Sequence, residues 1–519
     1  MSKAGCCCIG LLYLCAAGPG WAYESAYDVR DYGAIADGKS LCTKSIQRAI
    51  EQCAKDGGGT VYLPPGTFLS GTLFMKSGVT LRLDAGCTLL GSRDLQDYPE
   101  TVPAFRSYTD NYTDKSLIYG EDLENISIIG TGTIDGQGRF FKGPYKVRPY
   151  MMRFIRCRNV VVKDVTIKNS PMWVQHYLAC DDVRITGITV KSRVNHNNDG
   201  IDIDSCHRVV ISDCNIDSGD DAIVLKSTSA RVCRDVVVNN CVLSSQCNAL
   251  KMGTESNGGF ENIVLTGCLI YDTGLAGVAL EIVDGGTMDR IVVSDMTMNK
   301  VGAPIFLRLG NRARPFKKEM ERPGIGTLRN VTIANVEATG ANPTGCAISG
   351  LPQAKIQGLT LGNLRLSFAG GGTKQDAARD VPENADRYPE YSMFGKLPAY
   401  GLYCRHVKGI RLANVQLHLE KSDMRHAVVF DDVKDAVIDQ LDAASSAGAC
   451  STIRLTDVQG ALIRGCRPKK GTDVFLKLEG AQSRRVCLVG NDLSGVAKIV
   501  ETGPDVARTA LAQMANLVD

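Results

Sequence analysis

An all-β, right-handed parallel β-helix with a small N-terminal cap is the fold this sequence predicts, on three observations. The chain has 519 residues, beyond the roughly 250–300 residues at which one compact core stops growing, so several domains or a repeat must be present. A short β-branched phrase keeps returning, as Val160-Val161-Val162, Val183-Arg184-Ile185, Val209-Val210-Ile211, Val236-Val237-Val238, Ile263-Val264-Leu265, Ile291-Val292-Val293 and Val331-Thr332-Ile333. Its starts lie 23, 26, 27, 27, 28 and 40 residues apart, the period of a solenoid. The composition agrees, since 54 glycines against 2 tryptophans, with 44% hydrophobic and 22% charged residues, describe a turn-rich globular chain. Strand patterning without helical periodicity between repeats selects the β-helix over a helical array.

The N-terminus carries Lys3, an apolar run from Cys6 to Ala17 and the small-x-small triplet Gly20-Trp21-Ala22, a signal-peptide pattern that predicts export to a periplasm or the extracellular space. The run is shorter than the ~18–20 residues a membrane span needs, and no membrane span is expected. Residues Ser45 to Gln52 have helical spacing and precede Gly57-Gly58-Gly59-Thr60. That triplet leads into a strand and lacks the Gly-Lys-Ser/Thr ending of a phosphate loop, so it is read as part of a cap over the open end of the solenoid. The expected organisation is a signal peptide at 1–22, an N-terminal cap with the first coils at 23–100, the β-helix at 101–500 and a C-terminal cap or tail at 501–519.

Within the repeat, the position five residues after each start holds Val165, Ile188, Cys214, Cys241, Cys268, Met296 and Val336, an inward apolar column. Sixteen of the 20 cysteines lie beyond the leader. In an exported protein that number suggests disulfides. The column instead makes Cys214, Cys241 and Cys268 stacked core thiols, because parallel Cβ vectors roughly 4.8 Å apart match poorly the ~3.8 Å a disulfide wants. Weaker copies of the phrase near Ile410, Ala461 and Val486 carry the pattern almost to the C-terminus.

A second strand in each coil carries the chemistry. Alignment places Asp199, Asp221, Asn248, Val278 and Ile305 in one slot, with Asp202, Val224, Lys251, Glu281 and Arg308 pointing outward three residues on. Asp204 and Lys226 follow two residues later, giving one face a charged strip. Asp199 and Asp221 then stack at roughly 5 Å, with Asp220 beside them. Three carboxylates so close cannot all ionise easily. A protonated carboxyl beside ionised ones is what glycoside hydrolysis requires, and a calcium site or a solvated acidic ladder is the competing reading of the same cluster. Two long loops, 369–400 with Tyr388, Tyr391, Phe394 and Tyr400, and 308–318 with Arg308, Arg312, Arg314, Lys317 and Lys318, fit a sugar platform and a carboxylate clamp. His176 and His196 flank this cleft, and His207 fits a turn between coils.

Asn197-Asn198-Asp199-Gly200 and Gly219-Asp220-Asp221, 21 to 22 residues apart, resemble the paired acidic motifs of glycoside hydrolase family 28, the polygalacturonase and rhamnogalacturonan hydrolase family. The resemblance runs over nearly all of residues 26–500 and includes Asn169-Ser170-Pro171-Met172-Trp173 and Gly253-Thr254-Glu255-Ser256. It implies a pectin-lyase-like solenoid and an inverting hydrolase in which Asp220 is the general acid while Asp199 and Asp221 position water. Asn197, Asp202, Lys226, Asn248, Lys251, Glu281 and Arg308 become candidates for substrate binding, with no metal and no cofactor. Two positions depart from the family: its Gly-His-Gly stands here as Cys247-Asn248-Ala249, and its Arg-Ile-Lys as Ala279-Leu280-Glu281.

The expected function is hydrolysis of α-galacturonosyl linkages in pectin, exo-acting or of rhamnogalacturonan type, by a monomer. A calcium-dependent pectate lyase and a non-catalytic carbohydrate-binding solenoid are the alternatives. With 59 basic against 56 acidic residues, nothing in the charge balance calls for nucleic acid.

Overall fold

The structure, a computed structural model, describes residues 26–105, 113–144 and 147–518. The signal-peptide reading falls outside the described residues. The chain winds as a right-handed parallel β-helix, each strand pairing in parallel with its counterpart one coil on. The phrase starts align one against the next, as Val160↔Val183↔Val209↔Val236↔Ile263↔Ile291↔Val331. The ladder continues through Leu359, Ile410, Ala436, Ala461 and Val486, so the weak late copies are true coils. Among the described residues, no helix is long and apolar enough to cross a membrane.

What bends the chain into coils is a left-handed residue just before the inward column. Asp164, Gly187, Asp213, Asn240, Gly267, Asp295, Asn335, Asn363 and Asn414 occupy that place with φ between 51° and 68°. Only glycine, Asn and Asp visit this region cheaply. The turn residues also stack through their side chains: Asn335 Nδ2 donates to Asp295 Oδ1 at 2.9 Å, Asn363 to Asn335 at 3.0 Å and Asn414 to Asn363 at 3.0 Å. Behind them Val165, Ile188, Cys214, Cys241, Cys268, Met296 and Val336 are buried. All three cysteines are free thiols, as are the other thirteen among the described residues.

Near the N-terminus, α1 (Thr43–Lys55) buries Ile46, Ala49, Ile50 and Cys53. It packs against the first strands, and glycines 57–59, all at positive φ, turn the chain from it into the next strand.

The second strand of each coil forms the sheet that bears the chemistry: β1 (Gln175–Leu178), β2 (Ile201–Asp204), β3 (Ile223–Ser227), β4 (Leu250–Ser256), β5 (Leu269–Ile282), β6 (Thr287–Leu309) and β7 (Ala399–Leu419). Here the predicted alignment needs one correction. Ile201, Ile223, Leu250, Val278 and Ile305 share a row, so the slot of Asp199, Asp221 and Asn248 continues into Ala276 and Ala303, not Val278 and Ile305. The outward row of Asp202, Val224 and Lys251 continues into Ala279 and Phe306. Glu281 and Arg308 stand two residues further along. A slip of two leaves every side chain on its own face, which is why the alternation did not reveal it.

The column predicts the state of its thiols. Mapping by mass spectrometry after denaturation without reductant should find Cys214, Cys241 and Cys268 all alkylated as free thiols. Cys241→Ala should lower stability by on the order of 1 kcal/mol through a small cavity. A crosslink at Cys241 would contradict the packing described above.

Candidate active site

Asp199, Asp220 and Asp221 come together with one carboxylate oxygen each, all within 4.8 Å of one another. Asp199 and Asp221 are buried; Asp220 is half-buried and is the member that opens to a ligand.

Local backbone chemistry forces this meeting. Asn197 takes a left-handed φ of 57°, and the fully buried Asn198 ties the loop before β2. Its Oδ1 accepts from the amides of Val194 and Asn195 at 3.2 and 3.0 Å, and its Nδ2 donates to the carbonyls of Ser170 and Met172 at 3.0 and 2.9 Å. Gly219 is required, since a Cβ there would lie 2.9 Å from the Asn195 carbonyl and 3.2 Å from the Asn198 Cβ. The Asp220 carbonyl accepts from the hydroxyls of Ser218 and Ser245, each at 2.6 Å, which pins the acidic pair between neighbouring coils.

The three carboxyls sit in different electrostatic surroundings. Burial, reinforced by Asp220 and Asp202, holds the Asp199 carboxyl well above the usual carboxylate range. Burial and the neighbouring Asp221 raise Asp220. Asp221 has both oxygens engaged: Oδ1 accepts from Asn248 N at 3.0 Å and Asn248 Nδ2 at 2.8 Å, and Oδ2 lies 3.2 Å from Lys251 Nζ. As a metal site the trio offers three protein oxygens with Lys251 alongside, against the six to eight oxygens a calcium ion takes.

The remaining predicted residues divide into two groups. Asn248 and Lys251 join the carboxylates directly. Asp202 and Lys226 lie along the same face, 3.6 Å apart, with Lys226 also 3.6 Å from Glu255 and over the Trp173 ring. Asn197 is held from the side by Arg148 at 3.4 Å. Glu281 is fully buried, with neither carboxyl oxygen hydrogen-bonded. Arg308, also fully buried, donates to the carbonyls of Gly350 at 3.2 Å and Glu383 at 2.6 Å, so it holds the 369–400 loop down. The charged strip is therefore largely covered. His176 is buried between Tyr150 and Trp173, His196 is exposed, and His207 begins a strand and lies beside Arg231.

The 369–400 loop differs from the platform the sequence suggested. Tyr391, Phe394 and Leu397 are buried against Ala276, Ala279, Ala303, Phe306 and Ala347, and Tyr400 lies in the main core. They fill the cleft one coil beyond Asn248. Only Tyr388 stays exposed, with its ring over Lys251 and Arg312. Glu390, which sequence reasoning did not single out, reaches Lys251 at 3.9 Å; its place in an irregular loop 139 residues downstream left no pattern to find it by. Arg312 and Arg314 pair with Asp284 and Glu255.

The family model "Glycosyl hydrolases family 28" matches residues 53–386. A probable polygalacturonase of Vitis vinifera is 37% identical over 38% of this chain and 43% of its own length. An exopolygalacturonase of Platanus acerifolia is 26% identical over 67% of this chain and 92% of its own length. Against the first four curated relatives the chain spans less than half their length, 41–44%. Among solved structures, a hyperthermoactive exopolygalacturonase from Thermotoga maritima superposes with a TM-score of 0.62 at 25% identity, covering 76% of this chain and 92% of that one.

The Asn198 network predicts its own cost of removal. Asn198→Ala strands several buried backbone groups at about 1–3 kcal/mol each, so thermal unfolding should shift down by several degrees. An unchanged midpoint would show that the loop before β2 is held by other contacts.

Proposed function

This chain belongs to glycosyl hydrolases family 28, and we propose that it is an exported, exo-acting hydrolase that cleaves an α-galacturonosyl linkage next to the end residue of a pectic chain with inversion at the anomeric carbon. The observation that carries this reading is the trio of carboxylates within 4.8 Å, of which the most accessible, Asp220, has a carboxyl raised by burial.

A raised carboxyl keeps its proton at pH values where ordinary ones have lost it, so Asp220 can donate to the glycosidic oxygen as the bond to the anomeric carbon breaks. Asp199 and Asp221 position the attacking water on the opposite side of the ring, and one of the pair takes its proton as the new C–O bond forms. Inversion, not a covalent intermediate, is supported by the state of the two carboxyls that would otherwise be nucleophiles. Asn248 and Lys251 restrain the Asp221 carboxylate, whose remaining lone pairs still accept from a water, and Asp199 is buried and shifted towards its neutral form. Exo action is supported by the aromatic plug, because a chain lying along the helix axis meets Tyr391 and Phe394 one coil past Asn248.

Asp220→Asn should reduce turnover on oligogalacturonates by about 10²–10⁴ with little change in melting temperature. On the alkaline side the rate should fall as Asp220 loses its proton. Reducing ends should accumulate without an early drop in viscosity, without absorbance from unsaturated products and independently of chelator. Proton NMR of the first product should show the β anomer. Retention at that carbon would make Asp199 or Asp221 a nucleophile, and unsaturated products would make the protein a lyase.

A further inference from the structure

Resting on the hydrolase reading above, we propose that Glu390, backed by Glu281, makes the subsite on the Asn248 side of the carboxylates select a neutral sugar and disfavour a uronate.

A uronate-binding subsite needs a cation free to meet a carboxylate. Four cations at this end of the cleft, Lys226, Lys251, Arg312 and Arg314, each already face an acid of the protein, and Arg308 is buried on loop carbonyls. Lys251 lies 3.2 Å from Asp221 and 3.9 Å from Glu390, and Lys226 lies 3.6 Å from both Asp202 and Glu255. Arg312 pairs with Asp284 and with Glu255 at 3.6 Å, and Arg314 with both of the same acids. Adding a substrate carboxylate would place one more acid beside Asp220, Asp221 and Glu390, with none of these four cations left uncommitted to receive it.

Glu281 shows what the site offers in place of charge. It is fully buried, and neither oxygen has a hydrogen-bond partner. Burial holds its carboxyl well above the usual range despite Lys251. Covered completely, it meets no ligand itself, and it puts an acid, not a cation, behind Glu390. Glu390 is the member a ligand can touch, with about a quarter of its side chain exposed, 26%. Burial raises its carboxyl to about 7 against the pull of Lys251, with Asp221 and Asp220 adding to the rise. The half-exposed ring of Tyr388 lies over Lys251, shielding that cation from solution. Neutral-sugar selectivity therefore comes from an acid on the loop and a buried acid on β5, the residue that stands where the family motif places its lysine.

The test compares three trimers that differ only in charge: trigalacturonate, and two trigalacturonates in which one or the other end residue has its carboxylate reduced to the alcohol. Binding is measured by calorimetry on the Asp220→Asn protein, so affinity is read without turnover, and wild-type hydrolysis of the same trimers is followed separately. One of the end-reduced trimers should bind about tenfold more tightly than trigalacturonate, a difference of about 1.4 kcal/mol. That preference should grow between pH 5 and pH 8 as Glu390 ionises, and Glu390→Gln should reduce it to less than about threefold and remove its pH dependence. Equal or tighter binding of trigalacturonate, or a preference that survives Glu390→Gln, would overturn the assignment. Absence of wild-type hydrolysis on every trimer would instead overturn the hydrolase reading, while the binding preference still decides the role of Glu390.

Discussion

Parallel stacking in register is the constraint on which everything else in this molecule depends. Adjacent strands in a sheet sit about 4.8 Å apart, so any two residues at the same place in consecutive coils are neighbours whatever their chemistry. For apolar residues this costs nothing and builds the Val160 to Val486 ladder and the column through Cys241. For carboxylates it imposes repulsion that no rotamer relieves. Asp199 and Asp221 are in that position, and the fold answers by letting Asp199 shift towards its neutral form while Asn248 and Lys251 take up both oxygens of Asp221. The chemical asymmetry of the site thus follows from the repeat itself.

The parts of the architecture that repeat were legible in the sequence because repetition is self-checking. Seven phrase starts and seven column residues agree with one another, and a wrong register would have put a charge into the column. The left-handed turn could also be read, since Asp213, Asn240, Gly267, Asp295 and Asn335 directly precede the column. The slip from Ala276 to Val278 escaped for a physical reason. That slip falls between β4 and β5, where Asn248 stands seven residues after Cys241 but its neighbour Ala276 stands eight after Cys268, and the run Val278-Ala279-Leu280 has the same alternation whether read from its first or its third residue.

The cover over the charged strip was not legible at all. Outward-pointing residues on a solenoid are exposed by default, and Glu281 and Arg308 were read that way. Their burial comes from the 369–400 loop, whose contacts with β5 and β6 span nearly 100 residues and follow no period. Composition suggested aromatic residues available to a ligand; instead Tyr391 and Phe394 meet a patch of alanines, Ala276, Ala279 and Ala303, small enough to admit them. An outward row that turns from charged in β2 and β4 to Ala279 in β5 and Phe306 in β6 is the one local sign that something large must lie on top.

Covering the strip also changes what its charges can do. A lysine in water pairs with an acid for little gain, but Lys251 and Asp221 are both nearly excluded from solvent, where leaving either one alone would be expensive. Such a pair does not separate to greet a ligand. It fixes the Asp221 carboxylate beside Asp220, and it leaves recognition to the groups a ligand can still reach, the exposed ring of Tyr388 and the partly open Glu390. Closing the cleft and changing the character of its last subsite are then consequences of the same loop: the segment that brings Tyr391 and Phe394 onto the alanine patch cannot do so without also laying Glu390 against Lys251.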